Sequence, residues 1–239
     1  MTPALVATSH GTSSPAGRRA VAALVEAVRR RLPHVQVHDA FVDVQTPTPD
    51  DVVAHLGRPA VVVPLLLAPG FHVRVDVARA ASAPGCTAAA TLGPDDRLVG
   101  VLVRRLLAAG ACDEDVVVLA SAGSSDPVAQ ACFETVARDL SAAIGQIVPV
   151  GYVGGTGRPL ADVVAAARVD GSDRRVVATS LLLAPGFFQD RVAAADVDVV
   201  TRPLLDDGPV DPRLVDLVVD RYAAAVTTSP AQRGWSGTG

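Results

Sequence analysis

The heptapeptide LLLAPGF at Leu65–Phe71 occurs a second time, letter for letter, at Leu181–Phe187. The two copies start 116 residues apart, since 181 − 65 = 116. Self-similarity at a fixed distance is the signature of a repeated architecture. The chain of 239 residues is therefore interpreted as two copies of one unit, each about half of its length.

Further matches fall at nearly the same distance. Ser9–Pro15 aligns with Ser121–Pro127 (121 − 9 = 112), and Phe41–Asp43 aligns with Tyr152–Gly154 (152 − 41 = 111). We place the join near Gly110–Asp113. This predicts an N-terminal domain over residues 1–111 and a C-terminal, degenerate repeat domain over residues 112–226. The remaining residues, 227–239, are rich in Thr, Ser, Gly and Pro, and we predict a disordered tail there.

Each half alternates apolar, strand-like runs with segments of helical periodicity. The runs that predict strands are Ala4–Ser9, Val35–Val44, Ala60–Leu67, Thr87–Leu92, Val116–Ala120, Ile147–Val153, Val176–Leu183 and Val197–Val200. Strands that are separated by helices form parallel sheets through right-handed crossovers. We therefore predict an α/β fold, with two similar doubly wound parallel-sheet domains that face a central cleft.

Composition narrows the class of protein. Hydrophobic residues make up 49% of the chain but aromatic residues only 3%, so the core must consist mainly of Val, Leu and Ala. The formal net charge of −4 argues against nucleic acid, whose binders usually carry a basic face. No apolar run is long enough to span a membrane, and the N-terminus lacks the features of a signal peptide. The expected location is therefore the cytoplasm.

The cysteines predict no metal cluster and no disulfide framework. Cys86, Cys112 and Cys132 are widely spaced and include no Cys-x-x-Cys pair. Because unpaired cysteines are among the most buried residue types, all three are predicted to be buried thiols.

Polar side chains follow three predicted strands of the first half. His10 follows the first strand, Asp43 ends the second, and His72 comes just after the third. The carboxyl ends of parallel strands lie at one edge of a sheet, where ligands bind in folds of this class. Two imidazoles and one carboxylate suit a borderline divalent metal ion. The sequence therefore predicts a metal site and catalytic centre at this edge.

The repeat supports this interpretation from within the chain. At the matching positions of the second half His10 is replaced by Ala122, Asp43 by Gly154 and His72 by Phe188. If the three residues only capped or packed the fold, both copies would need them about equally. The first half is therefore expected to carry the chemistry, with the second half acting as a wall.

Structural alternatives stay open for each of these residues. His10 or His72 could cap the helix that follows it, and Asp43 could be a solvated strand end. The other histidines are interpreted as surface or structural residues: His34, His38 and His55. No lysine-containing phosphate-binding loop occurs, and the lack of a Gly-x-Ser-x-Gly elbow disfavours hydrolase chemistry.

The motifs Ser9–Thr12, after the first strand, and Pro69–Asp76, after the third, resemble the class II chelatase family. This family contains the sirohydrochlorin cobalto- and ferrochelatases. The likeness covers both halves, from about Ala4 to Ala225, and the two-copy form is one of the family's layouts. It implies two α/β domains around a cleft that holds a tetrapyrrole.

The resemblance also implies roles for single residues. The two active-site histidines of the family match His10 and His72, and an acidic residue, commonly glutamate in the family, falls on the shorter Asp43. Insertion of the metal ion would release two protons from the macrocycle. The expected substrate carries several carboxylates, for which we name three candidate arginines: Arg74, Arg158 and Arg191. The chain lacks the cysteine ligands or His-rich segment of some members, so no prosthetic group is expected.

The expected metal substrate is Fe²⁺, giving sirohaem, ahead of Co²⁺ for cobalamin biosynthesis, and His and carboxylate ligands also suit Ni²⁺. Two other classes of function stay open. One is a non-catalytic tetrapyrrole or metal carrier that uses the same cleft. The other is a two-domain sugar-binding protein of the periplasmic type, against which the low aromatic content counts. A duplicated chain can act as a monomer, because its two halves already enclose the cleft.

Overall fold

A computed structural model describes residues 2–70, 73–169 and 174–228 of the chain, and for Val73 and Arg74 it describes the backbone alone. Within these ranges the chain forms two four-stranded parallel sheets. The first contains β1 (Ala4–Ser9), β2 (Val37–Phe41), β3 (Ala60–Pro64) and β4 (Thr87–Ala88). The second contains β5 (Val116–Ser121), β6 (Val150–Tyr152), β7 (Val176–Leu181) and β8 (Val199–Val200). The orders β2-β1-β3-β4 and β6-β5-β7-β8 are the same, which confirms the predicted α/β fold and its duplication.

Helices connect the strands in both halves. They are α1 (Pro15–Arg31), α2 (Pro49–Leu56), α3 (Ala78–Ala81), α4 (Asp96–Ala108), α5 (Pro127–Ile144), α6 (Leu160–Val169), α7 (Phe187–Ala193) and α8 (Pro212–Thr228), with a π-helical segment at Val73–Val77 before α3. The helices that follow β1 and β5 begin alike. Proline occupies their first position, and the side chains of Ser14 and Asp126 accept a hydrogen bond from a free backbone N–H of the first turn.

The strands alternate between two apolar layers. In β1, Leu5 and Ala7 face a central core that both sheets share, whereas Ala4 and Val6 face an outer core under α2 and α3. The second sheet has its own outer core, which includes Val163 of α6. Burial on both faces explains why the strand segments read as continuous apolar runs.

The last helix of each half packs on the sheet of the other half. Helix α4 contacts α5 and β7, whereas α8 contacts α1 and β3. Two arginines at equivalent positions of the halves, Arg105 and Arg221, stabilise this packing of each last helix on the other half. Arg221 donates hydrogen bonds to the carbonyl oxygens of Thr91 (2.7 Å) and Leu92 (3.0 Å), and Arg105 donates to the carbonyl oxygen of Leu204 (2.9 Å). The two halves are thus joined through a common interior, while the domain boundary at residues 111 and 112 stays a prediction.

Several predicted elements differ from the observed ones at their ends. Strand β3 ends at Pro64 rather than at Leu67, because the apolar run continues into a loop that lines a cleft. Helix α8 continues to Thr228, two residues into the predicted tail, and residues 229–239 lie outside the described ranges. Within those ranges, no helix is long and apolar enough to cross a membrane.

The cysteines carry no disulfide, as the sequence predicts, but their burial differs from the prediction. Cys132 is buried, and this burial raises the pKa of its thiol to about 11. Cys86 is partly buried. Cys112 is exposed, so the prediction of three buried thiols is wrong for this residue. It lies in the connection between the halves, just before β5, where the chain runs over the surface.

Candidate active site in the cleft between the halves

A cleft of about 990 Å³ opens between the two halves. Its walls contain residues from both copies of the repeated heptapeptide and from the loops after β1 and β5, which lie at the carboxyl ends of the central strands. A volume of this size suits a large organic ligand. The close packing of the halves depends on Gly17 of α1, because a Cβ atom there would lie 2.3 Å from the carbonyl oxygen of Pro185 in the second heptapeptide.

Aromatic side chains are concentrated on this cleft. Of the five phenylalanines in the chain, the four whose surroundings the structure describes all line it: Phe41, Phe133, Phe187 and Phe188. Phe187 is 66% exposed and Phe188 40% exposed, and their rings pack edge to face with centroids 5.3 Å apart. An aromatic pair that protrudes into an apolar cleft offers a stacking surface to a flat ligand.

His10 lies where the sequence predicts it, directly after β1 on the wall of the cleft. Its side chain is exposed, and its Nδ1 lies 3.4 Å from the carbonyl oxygen of Gly11. The loop that carries it is held on both sides. The backbone N–H of Thr12 donates to Oε1 of Gln45 (2.9 Å), and Ser14 caps α1.

Asp43 is hydrogen-bonded to His10 through the backbone: the N–H of Asp43 donates to the carbonyl oxygen of His10 at 3.0 Å. Its carboxylate is exposed and accepts a hydrogen bond from the backbone N–H of Val44 at 2.7 Å. Asp43 lines a hollow that adjoins the cleft, whereas Val44 and Gln45 line both. Val44 has a φ of +61°, which is strained for a β-branched residue.

His72, the third predicted member of the site, lies outside the described residues. The chain from Leu65 to Gly70, which leads to it, lines the cleft apart from Pro69. Arg74 is described by its backbone only, so its predicted contact with substrate stays a prediction. In the described ranges no group of three or more His, Cys, Asp or Glu residues gathers as a metal site, a search that does not include His72.

The two other predicted arginines lie away from the walls of the cleft. Arg158 is exposed and donates to the carbonyl oxygen of Asp162 at 3.1 Å. Arg191 is exposed on α7, with its guanidinium 5.7 Å from the ring centroid of Phe187. Neither is among the described residues that form the cleft walls, although Arg191 contacts a residue that does.

Sequence reasoning missed Arg18, which lines the cleft from the first turn of α1. Its Nε donates to the carbonyl oxygen of Thr12 at 2.8 Å, so it is tied to the loop that carries His10. A signal was available in the sequence, since a cation in the first turn opposes the helix dipole. The three histidines interpreted as structural are absent from the described cleft walls: His34, His38 and His55.

The second half has the same loops with different side chains. Ala122 follows β5 as His10 follows β1, and Gly154 follows β6 as Asp43 follows β2. A Cβ atom on Gly154 would lie 3.4 Å from the ring of Phe188, so this ring lies directly beside the glycine. Among the described residues, the exposed phenylalanines belong to the half that lacks the histidines.

Two copies of one parallel α/β unit around a shared cleft define a duplicated, two-domain class of α/β protein. The chain belongs to the CbiX family, whose family model matches residues 4–109 and again residues 116–225. The double match confirms both the repeat and the predicted resemblance.

Solved structures share the fold. SirB from Bacillus subtilis with Fe³⁺ superposes with a TM-score of 0.76 at 20% identity, covering 98% of each chain. The sirohydrochlorin chelatase SirB from Bacillus subtilis subspecies spizizenii, in complex with cobalt, gives 0.71 at 19% identity and the same coverage. CbiX, described as the terminal enzyme for biosynthesis of siroheme in denitrifying bacteria, gives 0.65 at 17% identity, over 93% of this chain and 99% of that one. No curated protein matches the sequence.

Proposed function

We propose that the protein is a sirohydrochlorin chelatase, which inserts a divalent metal ion into the tetrapyrrole with release of two protons. The observation that carries the proposal is the position of His10 on the wall of a large apolar cleft lined by aromatic rings. Family membership supports it, and so do the similar structures solved with Fe³⁺ and with cobalt.

The proposed mechanism assigns one task to each half. The imidazole of His10, with His72, binds the incoming ion and holds it next to the macrocycle. Insertion displaces two pyrrole N–H protons, and an imidazole that releases the ion can accept one of them. In this proposal Asp43, whose backbone N–H donates to the carbonyl oxygen of His10, accepts or passes on a proton. Phe187 and Phe188 provide the opposite wall, against which the ring rests.

The test is the absorbance change of sirohydrochlorin on metal insertion. We expect the rate to fall at least about 100-fold in His10→Ala and in His72→Ala, because both ion binding and proton transfer are lost. His34→Ala is the matched control, since His34 is exposed and absent from the cleft walls. Near-normal rates in both site variants would remove the histidines from the mechanism. Multiple turnovers separate an enzyme from a carrier, which would stop after one.

The choice of metal is part of the proposal. We propose Fe²⁺ as the physiological substrate and Co²⁺ as the next candidate, because imidazole and carboxylate ligands suit both. Relative rates with each ion under anaerobic conditions decide between them. A cytoplasmic location and a monomeric state belong to the same proposal.

A further inference from the structure

The described residues that line the cleft include very few charged side chains. Apart from His10, the charged side chains among its described lining residues are Arg18 and Asp39. Asp39 already has a cationic neighbour, since its Oδ2 lies 3.7 Å from a guanidinium nitrogen of Arg29. Arg18 is therefore the cation that the cleft offers to an anionic ligand within the described part of the chain.

Arg18 is fixed at one nitrogen. Its Nε donates to the carbonyl oxygen of Thr12, and the structure gives it no other hydrogen bond or ion pair with the described residues. The two Nη groups are left for a ligand. Because Thr12 lies in the loop after β1, this bond fixes the guanidinium relative to His10, which the same loop carries.

The second half shows what the fold itself requires at this position. Gln130 occupies the place of Arg18 in α5 (130 − 18 = 112), and its Nε2 donates to the carbonyl oxygen of Ser124 at 2.8 Å. Gln130 also donates to Thr156 at 2.9 Å and does not line the cleft. A neutral side chain therefore fulfils the structural role, and the positive charge of Arg18 needs another explanation.

Helix stability does not supply that explanation. Arg18 is the fourth residue of α1, whose first turn contains no acidic residue. The N-terminus of a helix carries a partial positive charge, so a cation there is unfavourable to the helix. A residue that costs some local stability and faces a cleft is a candidate for ligand binding.

We propose that Arg18 binds a carboxylate side chain of the tetrapyrrole and so anchors the macrocycle in the cleft. This inference rests on the proposed function. A guanidinium presents two parallel N–H groups that match the two oxygens of a carboxylate. The apolar walls accommodate the ring, while Arg18 holds one edge of it at the rim that the cleft shares with the adjoining hollow.

The chain itself suggests the variant for the test. Arg18→Gln removes the charge but keeps an amide that can donate to Thr12, as Gln130 does to Ser124. Arg18→Lys keeps the charge without the two parallel N–H groups. Arg19→Gln is the matched control, because it makes the same charge change on the adjacent exposed residue, which does not line the cleft.

Binding of metal-free sirohydrochlorin is measured by fluorescence titration, and turnover by absorbance. We expect Arg18→Gln to raise Kd and KM about tenfold with kcat at saturation nearly unchanged, and Arg18→Lys to lie between it and the wild type. Arg19→Gln should match the wild type. With fully methyl-esterified sirohydrochlorin, the wild type and Arg18→Gln should bind equally, because the carboxylate charge is gone.

The outcomes separate this inference from the proposed function. If the wild type binds and metallates sirohydrochlorin and Arg18→Gln binds it equally well, the role of Arg18 is wrong and the proposed function stands. A difference in affinity between the wild type and Arg18→Gln that persists with the methyl ester would also overturn the role of Arg18, because the effect would not depend on a carboxylate. If the wild type neither binds nor metallates sirohydrochlorin, the proposed function falls and the inference falls with it.

Discussion

The loop after β1 and the loop after β5 have one backbone and two sets of side chains. Gly11 and Gly123 have φ values of +89° and +88°. A Cβ atom on Gly11 would lie 2.1 Å from the carbonyl oxygen of Asp43, and one on Gly123 would lie 1.9 Å from that of Gly154. Both copies therefore keep the glycine, because in each the loop passes directly over the end of the neighbouring strand.

Chemistry separates the two loops. The first has His10 and, through α1, Arg18, whereas the second has Ala122 and Gln130 at the same places. Features that the fold requires are present in both halves: the glycine, the N-terminal proline of the helix and its capping side chain. Features found in one half alone are not required by the fold. In a duplicated protein, this contrast identifies candidate functional residues without any other sequence.

The shared backbone gives the largest expected effect. Gly11→Ala and Gly123→Ala should each lower the free energy of unfolding by at least about 3 kcal/mol, because the added Cβ meets a backbone carbonyl in a left-handed conformation. Gly57→Ala is the control: its φ is +54° but no atom lies within 4 Å, so about 1 kcal/mol is expected. Thermal denaturation measures all three. If one of the two loop variants is tolerated, the loops do not share their structural requirement.

The exchanged helices provide a second symmetric test. Arg105 and Arg221 are 19% and 22% exposed, and each donates to a carbonyl oxygen and a carboxylate of the opposite half. Arg105→Gln and Arg221→Gln should each lower the free energy of unfolding by about 2 kcal/mol, since buried acceptors lose a charged donor. Arg30→Gln, on a 67% exposed arginine, should change it by less than about 0.5 kcal/mol. Urea unfolding measures all three variants, and a large difference between Arg105→Gln and Arg221→Gln would contradict the symmetry.

Substitution of Phe187 and Phe188, which line the cleft, tests the role of the half without histidines. Phe187→Ala and Phe188→Ala should each raise KM about fivefold with little change in kcat, because they remove stacking surface and leave the proposed metal ligands in place. Stability should hardly change for Phe187, which is 66% exposed. Leu107→Ala is the control, since Leu107 is 70% exposed and does not line the cleft. A loss of kcat with constant KM would place these rings in the chemical step instead.

The smallest expected effect concerns how the free energy of unfolding changes at acid pH. Burial alone would raise the pKa of Asp95, but hydrogen bonds from Arg97 and the charges of Arg97 and Arg221 hold it below its usual value. Burial would likewise raise the pKa of Asp206, and the N–H of Gly208 with the charge of Arg105 lowers it. A lowered pKa stabilises the fold above the unfolded value of about 3.9 and loses this contribution as pH falls through the folded value.

The stability difference between wild type and Arg221→Gln should therefore be constant from pH 7 to about pH 5 and shrink below about pH 4. Urea unfolding at each pH measures it. A difference that stays constant down to pH 2 would show that the carboxylate of Asp95 does not contribute to the stabilising effect of Arg221.

Much of the fold follows from the sequence, because the repeat fixes the number of units and apolar runs mark the buried strands. Ala4–Ser9 was predicted to the residue, since both of its faces are buried. The ends of β3 and β4 were not, because apolarity reports burial and the loops beyond these strands are themselves apolar. The packing of α4 and α8 on the opposite halves could not be predicted from the local sequence pattern, because it depends on contacts between distant segments.

The candidate site was predicted in part. The structure brings His10 and Asp43 together because parallel strands end at one edge, which periodicity can predict. Arg18 was missed because the sequence pattern of an arginine within a helix indicates a solvated side chain. Only the packing of the two halves shows that it lines the cleft. The repeat held the clue, in Gln130, but only the hydrogen bonds show that both side chains perform the same structural task.

The central claim is that one half alone binds the metal ion, and it is tested most directly by titration with Co²⁺, followed through its visible absorption. We expect one tightly bound Co²⁺ per wild-type chain with imidazole ligands, and loss of that binding in His10→Ala. We also expect unchanged binding in Ala122→Ser, the same position of the other half. An unaltered Co²⁺ spectrum in His10→Ala would contradict the account.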